Sequence, residues 1–324
     1  MRLIALAISF ATAVFLGQKW EKLLVIPLSD GVQLFAGGGD ENEPSNGSTQ
    51  RITTSGDIVT ATYVFKNFNR DKLTIDFRLK KTEWAKYDAA FGYYKKDIAD
   101  IDAWLNTARD GAFKFAVKTH KSQAQLDAAL AALDKERKRK VDEYMLSRGF
   151  RLNPGNVVTV DIPYLVKKNG PLLNSIANAF DRIAQERHYD SESIIGSVAS
   201  MVQTALIYRI PPDVEADGRH TGGLWPPATT LLKGWGDCDT KSALLSSILV
   251  NWPNMRVVGV AVPDHYLMGV LRIPNKGDVF VEKDGLQYVL IEPAGPGWFP
   301  PGQVAQSTIA LLEGHEGFKI EPFF

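Results

Sequence analysis

The sequence predicts an α+β fold in which helices pack on an antiparallel sheet, preceded by a small β-hairpin and a long helical hairpin. Three observations predict it. Residues 58–79 alternate apolar and polar side chains with a period of two. Residues 84–147 switch to apolar side chains at steps of three and four. Beyond residue 255, short β-branched and aromatic runs are separated by turn residues.

Each element follows in order. Ala61, Tyr63 and Phe65 alternate with Thr60, Thr62 and Lys66, and Leu73, Ile75, Phe77 and Leu79 with Thr74, Asp76, Arg78 and Lys80. These are two half-buried strands joined at Asn67–Asp71. Trp84, Tyr87, Phe91, Tyr94, Ile98, Ile101 and Trp104 then mark one face of a long helix. Leu126, Leu130, Leu133, Val141 and Tyr144 mark a second over residues 122–147. Its charge run Asp134–Lys140 interleaves acids with bases, with Asp134 four before Lys138 and Glu136 four before Lys140. That reads as a solvated helix face rather than a patch for an anionic partner. Residues 157–162 form a strand ahead of Pro163. Two amphipathic helices follow, one carrying Leu172, Ile176, Phe180 and Ile183, the other Ile194, Val198, Val202 and Leu206. Residues 211–227 hold four prolines and three glycines and form a loop. A helix at about 239–251 leads to strands at about 255–262, 265–273, 279–283 and 287–292, the last two joined by the tight turn Asp284-Gly285.

Composition bounds the function. The 324 residues suit about two domains. With 37 basic and 37 acidic side chains there is no electrostatic footprint for nucleic acid. One cysteine forms neither an internal disulfide nor a thiolate zinc site. Residues 3–16 are uncharged and almost wholly apolar, behind Arg2 and ahead of Lys19, Glu21 and Lys22. The run is shorter than the ~20 residues of a membrane span, so residues 1–17 read as a signal peptide or signal anchor. The protein is then expected in the periplasm or cell envelope, cleaved or anchored to the inner membrane. Residues 18–57, Gly-, Ser- and Asn-rich from 36 onward, read as a linker or mobile segment. Residues 58–152 make a hairpin-and-helices domain, and 153–324 a second domain.

The chemistry gathers around Gly234-Trp235-Gly236-Asp237-Cys238-Asp239-Thr240-Lys241-Ser242. The glycines permit a sharp turn and an aspartate can cap the following helix. Cys238 thus sits at a helix N-terminus, where the macrodipole and unpaired N–H groups favour a thiolate and can hold an oxyanion. The flanking aspartates oppose this, so a base is required. His265 begins a strand and can serve as that base, and a third group should orient its ring. Glu292 ends the strand 287–292 ahead of Pro293. It lies at the same end of the sheet as His265 if their strands pair antiparallel, which a full intervening strand at 279–283 in a simple meander would prevent. Asp237, Cys238, Asp239 and His265 are not expected to hold a metal, because adjacent helical residues diverge.

The sequence resembles the transglutaminase-like superfamily, whose core is similar to that of papain-like cysteine proteases. The resemblance is carried in order by Val202-Gln203-Thr204 with Tyr208, Pro226-Pro227 with Leu231-Leu232, Gly236-Asp237-Cys238-Asp239-Thr240-Lys241 with Leu244-Leu245, His265, and Glu292-Pro293. It covers about residues 155–305. It implies a papain/transglutaminase-like core with Cys238 as nucleophile, His265 as base and Glu292 as orienting acid. Gln203 and Trp235 match positions near the oxyanion or substrate site. The expected activity is acyl transfer on amide or peptide bonds of a protein or peptide substrate, by hydrolysis or transamidation, with no cofactor and no metal. The third triad member is commonly Asp, and the residue after Cys238 is not the Trp of the calcium-dependent animal enzymes, so the resemblance is to the bacterial-type branch. The rival expectation is a catalytically inactive binding or scaffold protein on the same fold, acting through the helical hairpin.

Overall fold

The structure, a computed structural model, describes residues 43–295, 297–314 and 317–324. The expected signal or anchor segment 1–17, the linker as far as residue 42 and His315 lie outside the described residues.

The fold is α+β with largely antiparallel sheets. Strands β1 (Thr49–Ser55), β2 (Ile58–Lys66) and β3 (Lys72–Lys80) form the first sheet, in that order. β1 corrects the linker assignment of residues 18–57, because Thr49–Ser55 pairs along its whole length with β2. All its side chains but one are exposed, so no buried face leaves an alternation to read. The alternating residues of β2 and β3 bury Ala61, Tyr63, Phe65, Leu73, Ile75 and Phe77 as expected.

The long helix expected across Trp84–Trp104 is two helices, α1 (Lys81–Ala89) and α2 (Lys95–Lys118). Gly92, at φ +85, separates them. A Cβ there would meet the Arg219 side chain at 2.8 Å and the His220 carbonyl oxygen at 2.9 Å. Helix α3 (Gln123–Ser147) opens with a capping box between Ser122 and Gln125. Ser122→Ala is expected to cost about 1 kcal/mol, read from thermal unfolding. The charge run splits between two uses. Arg137 reaches Asp102 of α2 at 2.6 Å and Asp134 takes Arg109 of α2 at 2.5 Å. Lys138 turns to Asp142 rather than to Asp134.

A hairpin of β4 (Phe150–Asn153) and β5 (Val157–Val160) follows. The strand expected over 157–162 ends two residues early, because Asp161 caps α4 (Ile162–Asn169) and Pro163 sits in its first turn, where no N–H is needed. Helices α5 (Asn174–Arg187) and α6 (Ser191–Thr204) lead to β6 (Ile207–Tyr208). Beyond the 211–226 loop come α7 (Pro227–Lys233), β7 (Trp235–Gly236), parallel to β6, and α8 (Cys238–Leu249).

The remaining strands are β8 (Val257–Val262), β9 (His265–Leu271), β10 (Phe280–Lys283), β11 (Leu286–Ile291) and, after α9 (Gln306–Leu312), β12 (Lys319–Pro322). They form a sheet in the order β10-β11-β9-β8-β12. Both of its faces are buried. Tyr266, Met268, Val270, Val289 and Ile291 join the main core, while Val258, Val260, Leu267, Tyr288 and Leu290 pack with Val304, and with Ile309 of α9 among others, on the other side. This is why these strands read as nearly unbroken apolar runs. The main core also takes in Val59, Phe65 and Phe77 of the first sheet and Leu231, Leu244 and Ile248 of α7 and α8. The two expected domains, 58–152 and 153–324, therefore share one core. No helix among the described residues is long and apolar enough to cross a membrane.

Candidate active site

Helix α7 ends at Gly234, in the left-handed region at φ +77, where a Cβ would lie 1.9 Å from the Gln50 side-chain oxygen. Trp235–Gly236 then runs beside Ile207–Tyr208, and Asp237 caps α8 by accepting from the Thr240 N–H at 3.1 Å. Cys238 is thus the first helical residue, and it is 4% exposed. Its thiol donates to Asp239 Oδ1 at 3.5 Å, and the Tyr266 backbone N–H faces the sulfur. Burial, and then the charges of Asp239 and Asp237, hold the thiol protonated well above its ordinary range. Both aspartates are themselves raised, chiefly by burial, and Asp239 further by Asp237.

Tyr266 follows His265, so the same stretch that meets the sulfur carries the histidine. The Pro263-Asp264 turn, with Asp264 at φ 54, delivers His265 to the start of β9 opposite Val262. The His265 Nε2–H donates to both Glu292 oxygens, at 2.9 and 3.1 Å, and Thr308 Oγ1 of α9 donates to Glu292 Oε2 at 2.9 Å. All three residues are buried. Burial pulls the His265 pKa down, but the Glu292 hydrogen bond and charge, with Asp239, overcome it and leave it raised.

Topology makes this pairing. β11 lies directly against β9, with Ile291 opposite Met268, so Glu292 reaches the His265 end. The strand that threatened the arrangement, β10, pairs on the far side of β11, with Phe280 opposite Val289. It occupies the sheet edge and leaves the antiparallel contact of β9 with β11 intact.

Gln203 does not fit the oxyanion role. Both hydrogens of its Nε2 are engaged, by the Glu292 carbonyl at 2.6 Å and the Phe299 carbonyl at 2.9 Å, and its Oε1 accepts from the Phe299 N–H at 3.1 Å. It straps the segment after β11 to α6. Trp235 is half-buried, edge-on to Trp225 at 5.5 Å and under the Arg209 guanidinium at 5.2 Å. It lies two residues before the capping residue, near the start of α8.

Three further residues belong to the neighbourhood. Thr308 fixes Glu292, and no motif in the sequence marks it. Tyr208 pairs with Gly236 across the two-residue ribbon and is 36% exposed. Its phenol pKa is raised by burial and by the nearby Cys238, Asp237, Asp239 and Glu292. The resemblance includes Tyr208 but assigns it no role. Lys241 is fully buried, donates to the Leu206 carbonyl at 2.8 Å, and is pushed down to about 7 by burial, with Asp237 opposing. Among the described residues no group of three or more His, Cys, Asp or Glu side chains could hold a metal ion. Compared with known proteins, the chain matches no protein-family model, no curated protein and no solved structure.

Proposed function

We propose that the chain is an exported or membrane-anchored cysteine enzyme of transglutaminase-like type, with a papain-like core, that transfers acyl groups from amide or peptide bonds of a protein or peptide substrate. The observation that carries the reading is the buried His265–Glu292 pair, locked by Thr308, on the strand whose next N–H faces the Cys238 sulfur. A solvated histidine needs no such grip, whereas a general base gains tautomer and orientation from it. Glu292 holds the proton on Nε2, so Nδ1 is the nitrogen through which the ring serves Cys238. The thiol rests protonated. As the substrate carbonyl arrives, the proton passes to His265 and the sulfur attacks the carbonyl carbon. The carbonyl π pair moves to oxygen, to which the N–H of Cys238, at the first turn of α8, can donate a hydrogen bond. When that pair returns, the C–N bond breaks and the amine leaves with the proton from His265. Water then hydrolyses the thioester, or a substrate amine takes the acyl group.

The test is the rate of Cys238 alkylation by iodoacetamide against pH, in the wild type and in His265→Ala. The protein has one cysteine, so the mass shift is unambiguous. The wild type is expected to show a limb that follows deprotonation of His265, the base that takes the thiol proton, and His265→Ala to lose it. Identical profiles in the two proteins would remove the base and with it the enzyme.

The second reading is a catalytically inactive scaffold on the same fold. It is favoured by the raised thiol pKa and by Phe115 and Val117, 59% and 66% exposed near the end of α2. It predicts that His265→Ala leaves the alkylation profile unchanged.

A further inference from the structure

The phenol of Tyr208 has a place in the site that hydrogen bonding within the fold does not explain. The β6–β7 ribbon sets its register through the Ile207 N–H on the Gly234 carbonyl at 3.0 Å and the Arg209 N–H on the Gly236 carbonyl at 3.2 Å. Residues paired across adjacent strands share a face of the ribbon. Tyr208 is paired with Gly236, and a Cβ on Gly236 would point into Thr240 of α8, 2.4 Å from its methyl group. The Tyr208 side chain is therefore on the face that meets the first turn of α8, the turn that begins with Cys238. Lys241 Nζ, in the same turn, is 6.0 Å from the ring centre. The fields of Cys238, Asp237, Asp239 and Glu292 all reach the phenol, as they would from one side of a shared site. No described residue hydrogen-bonds the hydroxyl, and at 36% exposure the residue borders solvent, the side from which a substrate arrives.

We propose that the Tyr208 hydroxyl is a catalytic donor to the carbonyl oxygen of the acyl group that Cys238 attacks. The inference rests on the acyl-transfer reading above. When the sulfur–carbon bond forms, the carbonyl pair moves to oxygen, and that oxygen accepts hydrogen bonds from Tyr208 Oη–H and from the Cys238 N–H. No proton is transferred from the tyrosine. When the pair returns, the bond to the leaving group breaks and the phenol is unchanged. The phenol takes the part expected of Gln203, whose amide is spent on the Glu292 and Phe299 backbone. A neutral phenol suits the task, because its raised pKa keeps it a donor across the working range.

The experiment compares two probes on the full chain, in the wild type, Tyr208→Phe and His265→Ala. p-Nitrophenyl acetate acylates Cys238 through an oxyanion and releases p-nitrophenolate. Iodoacetamide alkylates the same sulfur by displacing iodide from a saturated carbon, with no carbonyl oxyanion. Tyr208→Phe keeps the ring and its packing, and an unchanged thermal melt checks the fold. The expected result is a fall of about 100-fold in acylation with alkylation unchanged, the loss typical of removing one oxyanion donor. Equal falls with both probes would make Tyr208 a packing residue and overturn the proposal, as would no fall in acylation. A wild type that neither probe distinguishes from His265→Ala would instead overturn the enzyme reading itself.

Discussion

Glu292→Ala is expected to lower the unfolding free energy by about 3 kcal/mol at pH 6, because it strips a buried pair of one partner. Two buried donors are stranded, the His265 Nε2–H and the Thr308 hydroxyl. Urea unfolding at fixed pH measures the loss. Glu292→Gln separates charge from shape. It keeps the volume and an acceptor but removes the countercharge. The His265 ring, followed by NMR, is expected to titrate above its ordinary value of 6.5 in the wild type and below it in Glu292→Gln, where burial acts without the carboxylate. The sign for stability follows. A raised folded pKa means the contribution is whole below the unfolded value of about 6.5 and fades as pH rises through the folded value. The stability gap between wild type and Glu292→Gln should therefore close as pH rises. A ring that titrates alike in both proteins would leave Glu292 without control of His265.

Lys241→Met is expected to stabilise the protein by about 2 kcal/mol at pH 6, although it removes a hydrogen bond. Lys241 is fully buried, and its pKa falls from 10.5 to about 7. At about 1.4 kcal/mol per unit, holding the ammonium in the fold costs on the order of 5 kcal/mol below pH 7. The attraction of Asp237 is already within that net value, and against it stands the bond to the Leu206 carbonyl, about 1–3 kcal/mol when its acceptor is orphaned. The unfolded lysine keeps its proton up to about 10.5, so the penalty fades as pH rises from 7 towards that value. The wild type should close on Lys241→Met over that window. The difference between the two proteins is the quantity to follow, since the raised aspartates, thiol and tyrosines affect both. A lysine variant that is destabilised at every pH would show the ammonium to be a supporting charge.

Much of this was legible in the chain. Helix α8 and strand β9 announce themselves by period, by a capping aspartate at 237 or 239 and by Pro263-Asp264, so Cys238 and His265 could be set on their elements by local chemistry alone. Glu292 could be nominated but not paired, because the place of β10 depends on which side of β11 it joins. Both edges of an apolar strand look alike in sequence. Gln203 misled for a related reason. A carboxamide on a helix has no local sign of the carbonyl it will meet, and those of Glu292 and Phe299 lie far along the chain. β1 was hidden because its backbone pairs while its side chains stay in water. The helix break at Gly92 was hidden because its cause, the close approach of Arg219 and His220, comes from a distant loop.

The grip of Thr308 on Glu292, and of Gln203 on the Phe299 backbone, also imposes an order in time. Synthesis delivers Cys238 first, then His265, then Glu292, and only afterwards the threonine that locks the carboxylate. A ribosome-bound chain halted between Cys238 and Glu292 carries the thiol without the carboxylate that holds His265. The hold on the histidine is thereby tied to synthesis of the chain through Thr308, and until then the thiol keeps the ordinary acidity of an exposed cysteine.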